Sequence, residues 1–310
     1  MSDYSVIFFG TPEYAATTMK TLVASGVPVV AAVTPPDSPI GRTQFLAASP
    51  VKIAANLLNI PVFQPRGQAD FATVLKKITP SVGVLFAFGN ILPSAFLKAF
   101  SYGVLNIHPS LLPKYRGPSP VQQAILDGAD RTGVSVIRLD EQVDHGPILA
   151  QVETKIEKNE RLIDLIARLA SVGTRELIRV LPLYISGTLK LIPQRHEEAT
   201  YTKPFSRTDG QIDWATPAEQ VYRQYRACYP WPGIYTAFGQ KRLKIHDLSV
   251  LNAQTHSRPG EVLLLNEKII AIACGSGAVQ LITVQLEGSK PMTAGDFLRG
   301  HPAFYGAILR

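Results

Sequence analysis

The sequence predicts an α/β protein of two domains, and three observations indicate it. Over residues 1–188, short β-branched apolar runs alternate with segments of helical spacing, which is typical of a Rossmann-like, mostly parallel sheet. In residues 189–205 this pattern weakens, and prolines and charged residues indicate a linker. Residues 206–310 contain five short strand-like runs divided by glycines and polar turns. That pattern is typical of a small OB-like β-barrel, which we predict as the C-terminal domain.

The elements of the first domain follow one another at short intervals. Its first helix is predicted to begin at Thr11-Pro12, with the threonine as N-cap and the proline in the first turn. Strands are predicted at 5–9, 29–34, 61–63, 81–87, 103–107, 133–138 and 148–153, and helices at 11–24, 50–58, 71–78, 94–100, 120–126 and 162–183.

The second domain begins with a helix. Residues 216–219, Thr-Pro-Ala-Glu, have the sequence of a capping box, so we predict a helix from there to residue 227. The five strands are predicted at 234–238, 243–248, 260–265, 269–273 and 279–285, with a last helix at 294–299.

Composition excludes several classes of protein. No apolar run reaches eighteen residues, so no membrane helix is predicted. The N-terminus has no basic region before its apolar stretch and is predicted to be a strand rather than a signal peptide. Cys228 and Cys274 lie far apart without metal-ligand spacing, which argues against disulfides and structural zinc. We therefore expect a cytoplasmic protein without membrane attachment.

The charge balance permits a polyanionic partner. The formal net charge is +7, with 20 Lys and Arg against 16 Asp and Glu up to residue 205, and 11 against 8 after it. A basic protein suits nucleic acid, but the excess is spread over both domains and forms no basic tail. Charge alone therefore does not identify the partner.

Two polar residues lie at the end of one of the predicted strands, 103–107. Asn106 and His108 are two residues apart, so in an extended segment their side chains share one face. An amide can donate to the oxygen that becomes negative in acyl transfer, and an imidazole can move a proton near neutral pH. A carboxylate from the loop 139–147 could orient that imidazole. The alternative is a structural histidine beside an acidic surface turn.

The next segment, residues 110–117, is a rigid loop with two prolines, two cations and a glycine. Its functional interpretation is a clamp for an anionic or heterocyclic ligand. Its structural interpretation is a turn and helix cap, with Lys114 and Arg116 as solvated charges. The residues alone leave both open.

Taken together, these segments resemble a known family. The runs 106–117, 132–135 and 139–149 are similar, in order and spacing, to the formyltetrahydrofolate-dependent transferase superfamily. The likeness extends along nearly the whole chain, from Phe9–Glu13 to Lys290–Met292, in the branch that formylates the methionyl group on initiator tRNA.

The resemblance implies roles for particular residues. Asn106, His108 and Asp144 match the catalytic trio of the family. Ser110, Leu111, Leu112 and Pro113 match its folate-binding loop, Phe88 and Gly89 match its pterin pocket, and Arg42 matches a position linked to tRNA. The residues after Arg42 lack the further lysines common in the family, which implies fewer phosphate contacts there.

The resemblance also implies a reaction. We expect transfer of a formyl group from 10-formyltetrahydrofolate, as co-substrate, to the α-amine of methionyl-initiator-tRNA. We expect a monomer and no metal. Three alternatives are a formyltransferase acting on an amino-sugar nucleotide, a nicotinamide dehydrogenase, and a non-catalytic tRNA- or RNA-binding protein. The dehydrogenase is disfavoured because Gly10–Glu13 offers no GxGxxG turn.

Overall fold

The computed structural model describes residues 4–40, 45–78, 81–251 and 256–310. The chain divides into two compact units, which are described one at a time. The first unit contains the residues up to Pro120, Arg131–Lys155 and Leu165–Lys203. The second contains Val121–Asp130, Ile156–Asp164 and Pro204–Arg310. The predicted domain bounds at 188 and 205 stay a prediction.

The first unit is built on a seven-stranded sheet. The seven strands of this sheet are β1 (Val6–Gly10), β2 (Val29–Val33), β5 (Val62–Phe63), β6 (Val82–Phe86), β7 (Val104–His108), β8 (Arg131–Arg138) and β9 (Ile148–Lys155). Two short strands outside it are β3 (Ser38–Ile40) and β4 (Phe45–Ala47). The order across the sheet is β5-β2-β1-β6-β7-β8-β9, and β3 pairs only with β4. Pairing is parallel as far as β7 and antiparallel from β7 to β9.

Helices cover this sheet. They are α1 (Glu13–Ala24), α2 (Pro50–Leu57), α3 (Gln68–Lys77), α4 (Ser94–Leu97) and α6 (Leu162–Ile185), of which residues 165–185 belong to this unit. Every residue of β1 and β7 is buried, because apolar helix faces pack on both sides of the sheet. Among the described residues no helix is both long enough and apolar enough to cross a membrane.

The packing of α6 fixes the position of β7. A Cβ placed on Gly173 of α6 would lie 2.5 Å from Ile107 Cγ2, so glycine lets the helix approach this strand closely. The hydroxyl groups of Thr18 on α1 and Thr174 on α6 share a buried hydrogen bond of 2.9 Å. The strand that carries Asn106 and His108 is therefore held against a rigid layer of helices.

The second unit is an antiparallel β-structure with helices. Its elements are α5 (Pro120–Leu126), which belongs to it from the second residue on, α7 (Ala218–Cys228), β10 (Ile234–Phe238), β11 (Lys241–Leu251), β12 (Val262–Leu265), β13 (Ile269–Ala273), β14 (Ala278–Leu286), β15 (Met292–Thr293) and α8 (Ala294–Gly300). The strand order is β10-β11-β14-β13-β12, and β15 adds to β14. The predicted fold class, a mostly parallel α/β sheet followed by an antiparallel β-domain, is confirmed.

The last residues link the two edges of this second sheet. Val262 N–H donates to Ala307 O at 2.9 Å, and Leu309 N–H donates to Gly260 O at 2.9 Å. On the other edge, Ala237 N–H donates to Arg310 O at 2.6 Å. Residues 307–310 thus bridge β12 and β10, which satisfies backbone groups that an open sheet would leave exposed.

The threonine N-caps predicted for α1 and α7 are wrong. In α1 and α7 the N-cap is the proline, Pro12 or Pro217, and no side chain caps the helix. The Thr11 hydroxyl instead donates to Phe88 O, and the Thr216 hydroxyl donates to Asp213 O. The helix begins one residue later than the pattern suggested, so the threonine lies too far back to reach the first free N–H groups. Within the described residues a capping box forms at Ser206 and Asp209.

Both cysteines lie in the second unit and are buried. Cys228 and Cys274 are free thiols. Burial raises the pKa of each thiol to about 12, because the thiolate would lose its hydration. Neither thiol is therefore suited to act as a nucleophile near neutral pH.

The bridge at Gly260 gives a stability prediction. Gly260 and Gly288 have φ values of +84° and +83°, but a Cβ on Gly260 would lie 2.5 Å from Leu309 O, whereas one on Gly288 would meet nothing within 4 Å. Alanine is strained by the positive φ at both positions, so the two variants differ in the overlap with Leu309 O, which only Gly260→Ala creates. We expect Gly260→Ala to lower the free energy of unfolding by about 1–3 kcal/mol more than Gly288→Ala.

Tryptophan fluorescence during urea unfolding measures this difference, because both tryptophans, Trp214 and Trp231, belong to the second unit. Equal unfolding curves for the two variants would mean that the bridge by residues 307–310 does not stabilise the domain.

Candidate active site

Three polar side chains meet beside β7. Asn106 and His108 are buried, with 6% and 3% of their surface exposed, and alternation along the strand puts both on one face of the sheet. Asn106 Nδ2 donates to Asp144 Oδ1 at 3.2 Å, and His108 Nδ1 lies 3.5 Å from Asp144 Oδ2. The structure therefore brings together the three residues that the sequence singled out.

Asp144 reaches this face along an indirect route. β8 runs antiparallel to β7, so the loop 139–147 begins beside the start of β7, where Leu139 N–H donates to Val104 O. Further along the loop, Asp144 contacts Asn106 and His108, in the second half of β7. Asp144 has a φ of +49°, a left-handed conformation that costs on the order of 1–3 kcal/mol in a residue with a Cβ. Neighbouring contacts must hold it there.

The opposite side of the imidazole is held by the loop 110–117. His108 Nε2 lies 3.0 Å from Tyr115 O, and a carbonyl can only accept, so Nε2 carries a proton and donates. Two residues later, Gly117 N–H donates to Asp144 Oδ2 at 2.8 Å. Tyr115 and Gly117 have φ values of +59° and +103°, so this turn depends on left-handed backbone.

One buried serine organises the predicted folate loop. Ser135 on β8 accepts from Leu112 N–H at 3.1 Å and from Gln151 Nε2 at 2.8 Å, and its hydroxyl donates to Ser110 O at 2.7 Å. The Ser110 hydroxyl in turn donates to Lys114 O at 2.7 Å. The loop is thereby fixed by hydrogen bonds at both ends.

The side chains of this loop differ in what they can offer to a ligand. Leu112 packs with Ile137 and Ile148 in a small apolar cluster and is 3% exposed. Leu111 is half-buried and lies against Gly133, where a Cβ would overlap it. Leu111 can therefore contact a ligand, whereas the buried side chains of Leu112 and Ser110 stabilise the loop.

The predicted pterin pocket presents backbone rather than side chains. Phe88 is 1% exposed, and its ring packs on Phe9 and Phe71 in the core. Gly89 is exposed with a φ of +84°, and a Cβ on it would meet nothing within 4 Å. Open space lies beside this peptide, where a flat ligand could be bound by main-chain groups.

Residues of the loop 139–147 other than Asp144 fasten it to its surroundings. Glu141 accepts from the Ser94 hydroxyl at 2.6 Å and pairs with Lys98 at 3.0 Å; these groups lower the pKa of its carboxyl. His145 Nδ1 lies 2.7 Å from Asp140 Oδ2. The His145 ring also stacks on the ring of His196, so it fastens the loop to residue 196.

Part of the site lies in a segment that has no local sequence pattern. Residues 194–202, hereafter the strap, were predicted as linker but run alongside the loop 110–117, with a backbone bridge between Arg116 and Tyr201. Arg116 was interpreted as a solvated charge or a clamp, yet it is 1% exposed and bonded to Gln194 and His196. Nothing in the sequence around Gln194 indicates this contact.

Arg42 lies outside the described residues. Among the residues that the structure describes, no group of three or more His, Cys, Asp or Glu side chains is placed to hold a metal ion.

The serine at the centre of the loop gives a second stability prediction. Ser135→Ala would leave Leu112 N–H and Ser110 O without their partner in a buried place. We expect a loss of about 1–3 kcal/mol in the free energy of unfolding, because unpaired buried polar groups lose hydration without compensation. Urea unfolding followed by circular dichroism checks this, with the exposed Ser101→Ala as control. Identical midpoints would show that the hydroxyl is dispensable.

Comparison with known proteins covers both units. Residues 4–181 match the family profile described as Formyl transferase, and residues 204–302 match its C-terminal domain. The methionyl-tRNA formyltransferase of Sulfurihydrogenibium sp. (strain YO3AOP1) is 38% identical over 300 residues, covering 96% of each chain. That of Chloroflexus aggregans is 42% identical over 298 residues, covering 95% of this chain and 96% of its own.

Solved structures share the fold at lower identity. HypX from Aquifex aeolicus in complex with tetrahydrofolic acid matches with a TM-score of 0.69 and 17% identity, over 96% of this chain. This chain spans about half of HypX, covering 47% of it. WlaRD, a sugar 3N-formyl transferase, matches with a TM-score of 0.66 and 18% identity, over 94% of this chain and 100% of its own.

The two profiles account for most of both units, and the two relatives align over 95% or more of this chain at 38% and 42% identity. The chain belongs to the formyl transferase family.

Proposed function

We propose that this protein transfers the formyl group of 10-formyltetrahydrofolate to the α-amine of methionyl-initiator-tRNA. One observation carries the proposal: relatives named methionyl-tRNA formyltransferase match over 95% or more of this chain. Members of the formyl transferase family use formyl-tetrahydrofolate, which identifies the donor class.

The described residues fit a folate. The open space beside Gly89 and the exposed backbone there suit a flat heterocycle held by main-chain groups. Leu111, on a loop fixed by Ser135, offers an apolar contact from the other side of β7. When bound, the folate supplies an activated formyl carbon.

Asn106 has the geometry of an oxyanion donor. One of its two amide N–H groups donates to Asp144, and among the described residues the other has no partner. That second N–H can donate to the formyl oxygen as it gains negative charge during attack by the amine. The bond to Asp144 fixes the amide plane, so no reorganisation is needed at that moment.

His108 and Asp144 handle the proton. Attack by the neutral amine forms the new carbon–nitrogen bond and leaves an extra proton on the amine nitrogen, while the leaving folate nitrogen must gain one. Asp144 faces His108 Nδ1, and Tyr115 O holds Nε2, so the ring is fixed between two oxygens. A carboxylate in this position can accept the proton and pass it on.

The second unit and Arg42 are proposed to contact the tRNA. The resemblance implies this role for Arg42, and a small β-barrel is a common nucleic-acid platform. All three polar groups come from one chain, so a monomer suffices. Because initiator tRNA is charged and used in the cytoplasm, we place the activity there.

A panel of acceptors tests the proposal. The enzyme is incubated with 10-formyltetrahydrofolate and, separately, methionyl-initiator-tRNA, methionyl-elongator-tRNA and a dTDP-linked amino sugar, and formylated products are measured by mass spectrometry. We expect product chiefly from the initiator tRNA. Product from the amino sugar alone would establish the second candidate, which the likeness to WlaRD favours. Absence of any product would leave a non-catalytic RNA-binding protein.

Replacement of the amide tests the role of Asn106. We expect Asn106→Ala to lower kcat by about 10²–10³-fold while the protein stays folded, because one oxyanion donor is lost. The exposed Asn56→Ala on α2 is the matched control and should keep the wild-type rate. Steady-state kinetics with both substrates measures the effect. A near-normal rate for Asn106→Ala would refute the assignment.

A further inference from the structure

A buried glutamine in the strap joins the two loops that meet at Asp144. Gln194 is 6% exposed. Its Nε2 donates to Asp144 O at 2.8 Å and Gly146 O at 2.7 Å, and its Oε1 accepts from Arg116 Nε at 3.2 Å and Arg116 Nη2 at 2.7 Å. Both N–H groups and both lone pairs of the amide are therefore used within the protein.

Each of the two loops supplies contacts to the polar trio. Tyr115 O accepts from His108 Nε2, and Gly117 N–H donates to Asp144 Oδ2, so Arg116 lies between the two contacts. The other loop carries Asp144 itself. Gln194 thus links the main chain of Asp144 to the side chain of Arg116, the residue between Tyr115 and Gly117.

Arg116 depends on neutral partners in this network. Besides Gln194, its guanidinium donates to His196 Nδ1 at 2.8 Å and to the Tyr201 hydroxyl at 3.2 Å. Its backbone pairs with Thr200 and Thr202. None of the ion pairs found among the described residues includes Arg116. The amide oxygen of Gln194, with two contacts, is its principal acceptor.

We infer that Gln194 is a positioning residue for the formyl transfer, acting through Asp144 without contact with either substrate. The inference rests on the proposed function. Asp144 has a φ of +49°, which a residue with a Cβ adopts only when neighbours hold it. Gln194 donates to the carbonyl oxygen of this same residue. Without that bond the loop relaxes and the carboxylate moves away from Asn106 and His108.

The expected consequence is kinetic. A displacement of about 1 Å in a group that orients the reacting atoms costs on the order of 10²-fold in rate. The KM values should change little, because both polar atoms of the Gln194 side chain are hydrogen-bonded within the protein. A loss confined to kcat therefore distinguishes positioning from substrate binding.

Two variants test the hydrogen bonds of the Gln194 side chain. Gln194→Glu keeps the chain length and an oxygen for Arg116, but it puts an acceptor where Nε2 donates to Asp144 O and Gly146 O. Gln194→Met keeps the length and removes all four bonds. Where one variant fails to fold, the other gives the result. Arg195→Ala is the control, since this neighbouring side chain is 76% exposed and pairs only with Glu198 among the described residues.

Formyl transfer to methionyl-initiator-tRNA is measured for each protein. We expect kcat of Gln194→Glu and Gln194→Met to fall on the order of 10²-fold, with both KM values within about threefold of wild type. Arg195→Ala should retain full activity. In single-turnover assays at high enzyme concentration, Asp144→Asn and Asp144→Asn/Gln194→Glu should have equal rates, because a residue that acts through Asp144 adds nothing once its carboxylate is gone.

Other outcomes overturn the inference. A normal kcat in the folded variants would show that Gln194 positions nothing, and a raised KM alone would assign it to substrate binding. Additive losses in the double variant would show action independent of Asp144. An inactive wild-type enzyme would instead overturn the proposed function, and this inference with it.

Discussion

The carboxylate of Asp144 is the contact on which the arrangement of this site depends. One oxygen accepts from Asn106, and the other accepts from Gly117 N–H and faces the imidazole of His108. Charge-assisted hydrogen bonds of this kind are roughly twice as strong as neutral ones, and they act here in a place with little access to water. A single side chain thereby sets the direction of the amide, the position of the ring and the path of the loop 110–117.

Much of the fold could be predicted from periodicity. Every predicted strand of both domains is present, because alternating and continuous apolar runs reflect burial directly. The two threonine caps were mispredicted, because proline occupies the N-cap position itself and the threonine hydroxyls bond elsewhere. The β3–β4 hairpin was missed, because strands of three residues show no period.

The site was predictable in its residues but not in its connections. Spacing placed Asn106 and His108 on one face, and an acidic loop offered the third member. The strap could not be found in this way, because Gln194 and His196 contact Arg116 across 78 and 80 residues of sequence. Contacts of such separation leave no local pattern, and a segment with prolines and charges resembles a linker even when its backbone is paired.

Left-handed backbone is concentrated around the polar trio. Of the six described non-glycine residues with positive φ, Ala87, Tyr115 and Asp144 belong to segments that border it. Replacing Asp144 by glycine would relieve the steric cost but would remove the carboxylate on which the proposed chemistry depends. At this position, selection for thermostability and selection for turnover therefore oppose each other.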